Sequence, residues 1–125
     1  MNEKTEHDEL EIEIERKHFA RAALLASSLG VSEEEVRDLQ IKALWQMSAE
    51  FRNAFGTRQL ADQYGLSKKQ VEELLESHAT AKRQQGELKA LEPCYDHGTG
   101  KYLAFEEWLD YVLKNWNKLS ISVTV

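Results

Sequence analysis

The sequence predicts a mainly α-helical fold: two tandem pairs of short helices, each pair joined by a tight turn and sharing a long central helix, then a small β-hairpin and a C-terminal helix. Three observations lead there. The stretch LASSLGVSEEEVRDL from Leu25 is matched without a gap, thirty-five residues later, by LADQYGLSKKQVEEL from Leu60. Residues 33–55 contain neither Gly nor Pro, which suits one long helix. Beyond the second copy, the turn residues of HGTG separate two short apolar runs, and helical spacing returns from residue 106.

At the start of the chain, residues 1–9 carry no apolar periodicity and read as a mobile acidic arm ahead of one domain over residues 10–125. Leu10, Ile12 and Ile14 then alternate with Glu11, Glu13 and Glu15. The alternation is that of a strand, while glutamate favours a helix. A strand could pair with Ile121, Val123 and Val125; a helix would continue to Leu29. The glutamates read as a solvated face and not as a metal site.

The first copy occupies residues 20–39. Gly30 closes its first helix, Ser32 and Glu35 have capping-box spacing, and Val36 and Leu39 begin the second helix. Along that helix Val36, Leu39, Ala43, Met47 and Phe51 step down one side, and Ile41, Leu44 and Trp45 widen the apolar surface enough to pack on two sides. Gly56 is read as its end and Thr57 as the next cap. In the second copy Leu60, Ala61 and Tyr64 make an apolar side, Gly65 closes the helix, and Ser67 with Gln70 starts another along which Val71, Leu74, Leu75 and His78 recur at helical spacing.

This second copy resembles the helix-turn-helix DNA-binding motif, with Ala61 where the helices approach, Gly65 in the turn, Leu66 beneath it, and Val71 and Leu74 holding the second helix. From residue 33 to 105, the order of long helix, helix-turn-helix and hairpin resembles winged-helix proteins, although the strand usually found after the long helix is missing. The resemblance implies base contacts at Ser67, Lys69, Gln70 and Glu73, and a hairpin tip of His97, Thr99 and Lys101 against phosphate. Over residues 106–119 Trp108, Leu109, Val112 and Trp116, joined by Phe105, form an aromatic stripe of the kind that usually packs into a core, while the resemblance implies a homodimer seam through Trp108, Val112 and Trp116. Tyr111 and Leu113 lie off that stripe and predict a second buried surface.

Charge separates the two copies. The net charge of -6 is unfavourable for nucleic acid, yet residues 51–90 hold 7 Lys+Arg against 5 Asp+Glu while residues 1–50 hold 6 against 12 and residues 91–125 hold 3 against 5. Glu33, Glu34 and Asp38 of the first copy, beside Arg37, would repel phosphate. The second copy instead offers Lys68 and Lys69 beside Glu72 and Glu73, with Lys82 and Arg83 further along and Arg58 on the preceding helix. The expected nucleic-acid-binding residues are therefore Arg58, Ser67, Lys68, Lys69, Gln70, Glu73, Arg83 and Lys101.

Other classes find little support. A lone Cys94 makes no internal disulfide and points to a reducing, cytoplasmic setting, and neither a membrane span nor a targeting segment is legible. Cys94, His97 and His78 fall short of a zinc set, and no base accompanies Cys94, so no metal, cofactor or catalysis is expected. The sequence predicts a DNA-binding transcriptional regulator that docks the helix starting at Lys68 on double-stranded DNA as a homodimer. The alternative is a helix-turn-helix scaffold that binds a protein partner on its acidic surface.

Overall fold

In a computed structural model of the chain, which describes residues 2–120 and side chains from residue 6, the glutamate-rich start is a helix, α1 (Asn2–Glu15). Helical turns put Leu10 and Ile14 on one face, against the core of α2 (Phe19–Ser28), and leave Ile12 outside. The mobile arm expected over residues 1–9 is thus part of α1 from Asn2 onward, and the alternating residues 10–15 are helix and not strand. Their suggested strand partner, residues 121–125, lies outside the described residues. The helix does not continue to Leu29: Lys17 takes a left-handed φ of 60° and turns the chain before α2 begins.

The remaining elements are α3 (Glu33–Trp45), a π-helical turn at Gln46–Glu50, α4 (Ala54–Gln63), α5 (Lys68–Gln84), an antiparallel hairpin of β1 (Cys94–Asp96) and β2 (Lys101–Leu103), and α6 (Phe105–Lys114). Single 3-10 turns at Lys89–Leu91 and Trp116–Leu119 flank the hairpin and α6. The fold is mainly α, with a small hairpin and a C-terminal helix, as expected. No described helix is long and apolar enough to cross a membrane. Two compact units divide the chain, Met1–Gln46 and Met47–Val125, the boundary falling inside the stretch expected to be one domain.

Each unit contains one copy of the repeat, and the copies share their hydrogen bonds. In the first, Val31 N–H donates to Ala26 O (3.1 Å) and Gly30 N–H to Ser27 O (3.3 Å). In the second, Leu66 N–H donates to Ala61 O (2.8 Å) and Gly65 N–H to Asp62 O (3.2 Å). Both helices end in this crossed pair of bonds, with Gly30 at φ 74° and Gly65 at φ 69°. A Cβ at either glycine would meet nothing within 4 Å, so only the backbone resists substitution. Gly30→Ala and Gly65→Ala are each expected to lower stability by about 1 kcal/mol, equally within error, in urea titrations.

The repeat reaches further back than the sequence match. Thirty-five residues after Lys17, Arg52 also adopts a left-handed φ, of 51°, and His18 and Asn53 occupy the following N-cap positions. Asn53 caps α4 by accepting from Gly56 N–H at 2.8 Å. This corrects the expected boundary: the central helical stretch ends by Glu50 and not at Phe55, and Gly56 lies inside α4. Gly56 is small because Met47 Sδ and Asn53 crowd the place of a Cβ, at 2.6 and 2.9 Å. Thr57, expected as the cap, is buried within α4 and donates its hydroxyl to Asn53 O at 2.8 Å.

In the first unit, Leu10, Ala22, Ala23, Ala26 and Leu39 form the core, joined by Ile14, Phe19, Leu25, Leu29, Val31 and Val36. Alanines at three buried positions of α2 allow its neighbours to approach closely. In the second unit α6 packs against α5, β2 and the Lys89–Leu91 turn. Its buried side chains are Phe105, Trp108, Leu109, Val112 and Leu113, followed by Trp116 and Leu119. Leu113 supplies the expected second buried surface, whereas Tyr111 is exposed. The stripe of Trp108, Val112 and Trp116 is internal to this unit: these residues are 1%, 0% and 7% exposed, the core placement such a stripe usually takes.

Tyr64, the C-cap of α4, has a buried hydroxyl with no hydrogen-bond partner among the described residues. Burial pushes its pKa above the ordinary phenol value. A proton held more tightly in the folded state stabilises the fold below the unfolded pKa and is lost as pH rises through the folded one, so stability should fall above about pH 10. Tyr64→Phe is expected to abolish that alkaline loss and to raise stability at neutral pH by about 1 kcal/mol, read from urea titrations at both pH values.

Candidate nucleic-acid interface

The first turn of α5 is held by a complete capping box. Ser67 Oγ accepts from Gln70 N–H at 3.2 Å, and Gln70 Oε1 accepts from Ser67 N–H at 2.8 Å. The box fixes the helix start and presents Lys68 and Lys69, both exposed and neither in an ion pair with any described residue. A helix N-terminus carries positive partial charge, so two lysines there raise the local potential and weaken the helix slightly, by about 0.3–1 kcal/mol each. An anion at that end would relieve both strains.

The eight expected residues do not form one surface. Ser67, Lys68, Lys69, Gln70 and Glu73 sit together on the first two turns of α5, with Glu73 exposed. The side-chain oxygens of Ser67 and Gln70 are already used in the cap, so both residues serve first to hold the lysines. Arg58 is elsewhere engaged. Its Nε donates to Asp62 Oδ1 at 3.0 Å and its Nη1 to Trp116 O, and the guanidinium lies 4.9 Å from the centre of the Trp116 ring. With only 16% of its side chain exposed, Arg58 ties α4 to the C-terminal turn and is not offered to phosphate.

Arg83 sits in the last turn of α5, about 22 Å along the axis from Lys68 at 1.5 Å per residue, and is ion-paired with Glu106. Lys82 is likewise paired, with Glu87 at 2.7 Å. Lys101 opens β2, opposite Asp96 in the hairpin register, and is exposed. The hairpin turn is set by Asp96, whose Oδ2 accepts from Thr99 N–H at 2.8 Å, and of its two glycines only Gly100 takes a positive φ. Beside Lys101 the cross-strand pair Tyr95 and Tyr102 packs edge to face at 5.3 Å, and His97 lies 4.9 Å from Tyr95. This outward rung of tyrosines was missed in the sequence, although both stand at equal distance from the HGTG turn.

A second missed residue anchors the hairpin. Arg52, in the turn before α4, donates to Ala49 O (3.0 Å), Leu103 O (2.9 Å), Ala90 O (3.1 Å) and Glu92 O (3.0 Å). Its guanidinium also lies 5.7 and 5.9 Å from the rings of Phe105 and Trp108. Both ends of the hairpin are thereby tied to the chain entering α4. Burial draws the Arg52 pKa below the usual value, while the neighbouring Cys94 and Asp96 oppose that shift.

The equivalent surface of the first unit is acidic. Glu33 and Glu34 take the positions of Lys68 and Lys69, both exposed, and Ser32 Oγ accepts from Glu35 N–H at 3.3 Å as Ser67 does from Gln70. Carboxylates suit a helix N-terminus. Residues 1–46 hold 6 Lys+Arg and 11 Asp+Glu, whereas residues 47–125 hold 10 and 11. Comparison with known proteins finds no matching family model, curated protein or solved structure.

Proposed function

We propose that the protein is a DNA-binding regulator that meets duplex DNA with the N-terminal end of α5. Lys68 and Lys69 would contact backbone phosphate, and Glu73 would face the groove from the second turn. Lys101 is the hairpin's contribution. The observation that carries this reading is the pair of exposed lysines, without an ion pair among the described residues, in the first turn of a capped helix, where cations are locally unfavourable and an anion is welcome. Arg58 and Arg83, being engaged within the unit, drop out of the contact set. A cytoplasmic setting belongs to the proposal and is supported by the exposed thiol of Cys94.

Binding to a mixed-sequence duplex should weaken as salt rises, with a slope of about -3 in the logarithm of affinity against that of salt, for phosphate contacts at Lys68, Lys69 and Lys101. Lys68→Glu with Lys69→Glu should abolish the complex. A wild-type protein that leaves duplex unbound at low salt, or a double variant that binds as well, would favour the second reading, a scaffold for a protein partner. What supports that alternative is the engagement of Arg58 and Arg83 and the excess of carboxylates in the first unit.

A further inference from the structure

Glu73 is set apart from the other carboxylates of α5. It lies in the second turn, on the exposed stripe that also carries Lys69 and Thr80 and that turns away from the buried Val71, Leu75 and Ala79. Glu72 and Glu76 border the groove between α5 and α6, beside Glu106 and Asp110, whereas Glu73 lies outside that lining. Lys69 stands one turn earlier, yet Glu73 has no ion pair among the described residues. The first copy treats the equivalent position differently. Asp38, thirty-five residues earlier, is paired at 3.1 Å with Lys42 one turn further along α3. Ser77 takes the place of Lys42 in the second copy, so the carboxylate that the first copy neutralises within its own helix is left without that partner.

We propose that Glu73 is a specificity-determining residue that selects cytosine, by accepting a hydrogen bond from its N4 amino group in the major groove. The inference rests on the reading of α5 as the element that meets duplex DNA, and adds which base it takes there. A carboxylate only accepts hydrogen bonds, and phosphate repels it. The donors that the major groove offers are the amino groups of cytosine and adenine. Adenine sets its N7 acceptor beside that amino group, where it repels the second carboxylate oxygen; cytosine sets a C–H there. A site without the amino group at this position leaves the carboxylate desolvated and unpaired, so Glu73 rejects wrong sites as well as favouring the right one.

The test is selection by the full chain, at low salt, from a pool of duplexes with a randomised core, followed by sequencing of the retained duplexes. The wild type is expected to favour cytosine over each other base by about tenfold at one core position. Glu73→Gln, whose amide pairs with adenine N6 and N7, should move that preference to adenine and leave the other positions of the site unchanged. Glu73→Ala should remove the preference and bind the unselected pool more tightly than the wild type, since a charge that phosphate repels is gone. Both changes fall at an exposed position, so far-ultraviolet dichroism should show native helix content in each variant. Retention of duplex with no cytosine preference, or a cytosine preference that both variants keep, would overturn the inference and leave the DNA reading standing. Failure of the wild type to retain any duplex would overturn both.

Discussion

Arg52→Met is expected to lower the unfolding free energy by about 3 kcal/mol, since hydrogen bonds from one charged group to four carbonyls are broken and three of those acceptors, partly buried, are left without that donor. Methionine keeps the aliphatic stem and removes the fork. Arg52→Lys should recover less than half of the loss, because an ammonium cannot span acceptors at Ala49, Ala90, Glu92 and Leu103 together. The left-handed backbone separates side-chain from main-chain effects: Arg52→Gly should be less damaging than Arg52→Ala by about 1 kcal/mol. Guanidinium chloride titrations of the four variants give the ranking. A flat ranking would mean that the hairpin is held by something other than this residue.

Trp108→Ala should cost about 4 kcal/mol, enough to threaten folding of a marginally stable unit. The indole is 1% exposed, stacked at 6.2 Å on Phe105 and covered by the Arg52 guanidinium. The outcome separates two roles. As a dimer seam, the residue could be truncated and leave a folded monomer; as core, its loss should broaden or abolish the cooperative unfolding transition, with no dependence on protein concentration. Arg52 and Trp108 touch, so the combined variant should fall short of the sum of the single effects by about 1 kcal/mol.

Much of the backbone was legible because the same short-range chemistry occurs twice. Gly30 and Gly65, Ser32 and Ser67, Ala26 and Ala61 are local signals, and each appears in the structure with the expected φ, cap or burial. The misplaced boundaries have a different origin. Residues 46–56 contain no breaker before Gly56, and the chain is turned there by Arg52, a residue that seldom adopts positive φ and is held there by tertiary hydrogen bonds. No local pattern announces such a turn; its only trace is that Lys17 stands at the equivalent place one repeat earlier.

Alternation misled in a related way. Leu10, Ile12 and Ile14 have the period of a strand, but glutamate's preference for helix and the approach of α2 decide the matter, leaving Ile12 in solvent. Of the candidate site, the part carried by consecutive residues on one helix start, Ser67 to Gln70, was readable from spacing. What spacing could not show was competition for the same cations within the fold: Arg58 with Asp62 and Trp116, Arg83 with Glu106. Long basic side chains find intramolecular partners that only a three-dimensional arrangement reveals.

On the reading proposed here, two copies of one backbone have diverged in charge until only the second can approach a polyanion. Amide chemical-shift mapping of the labelled full chain with a mixed-sequence duplex at low salt tests it residue by residue. The perturbations should cluster on residues 66–73 and near Lys101, and residues 31–38, equivalent in backbone but acidic, should stay silent. Shifts on residues 31–38, or on neither copy, would contradict it.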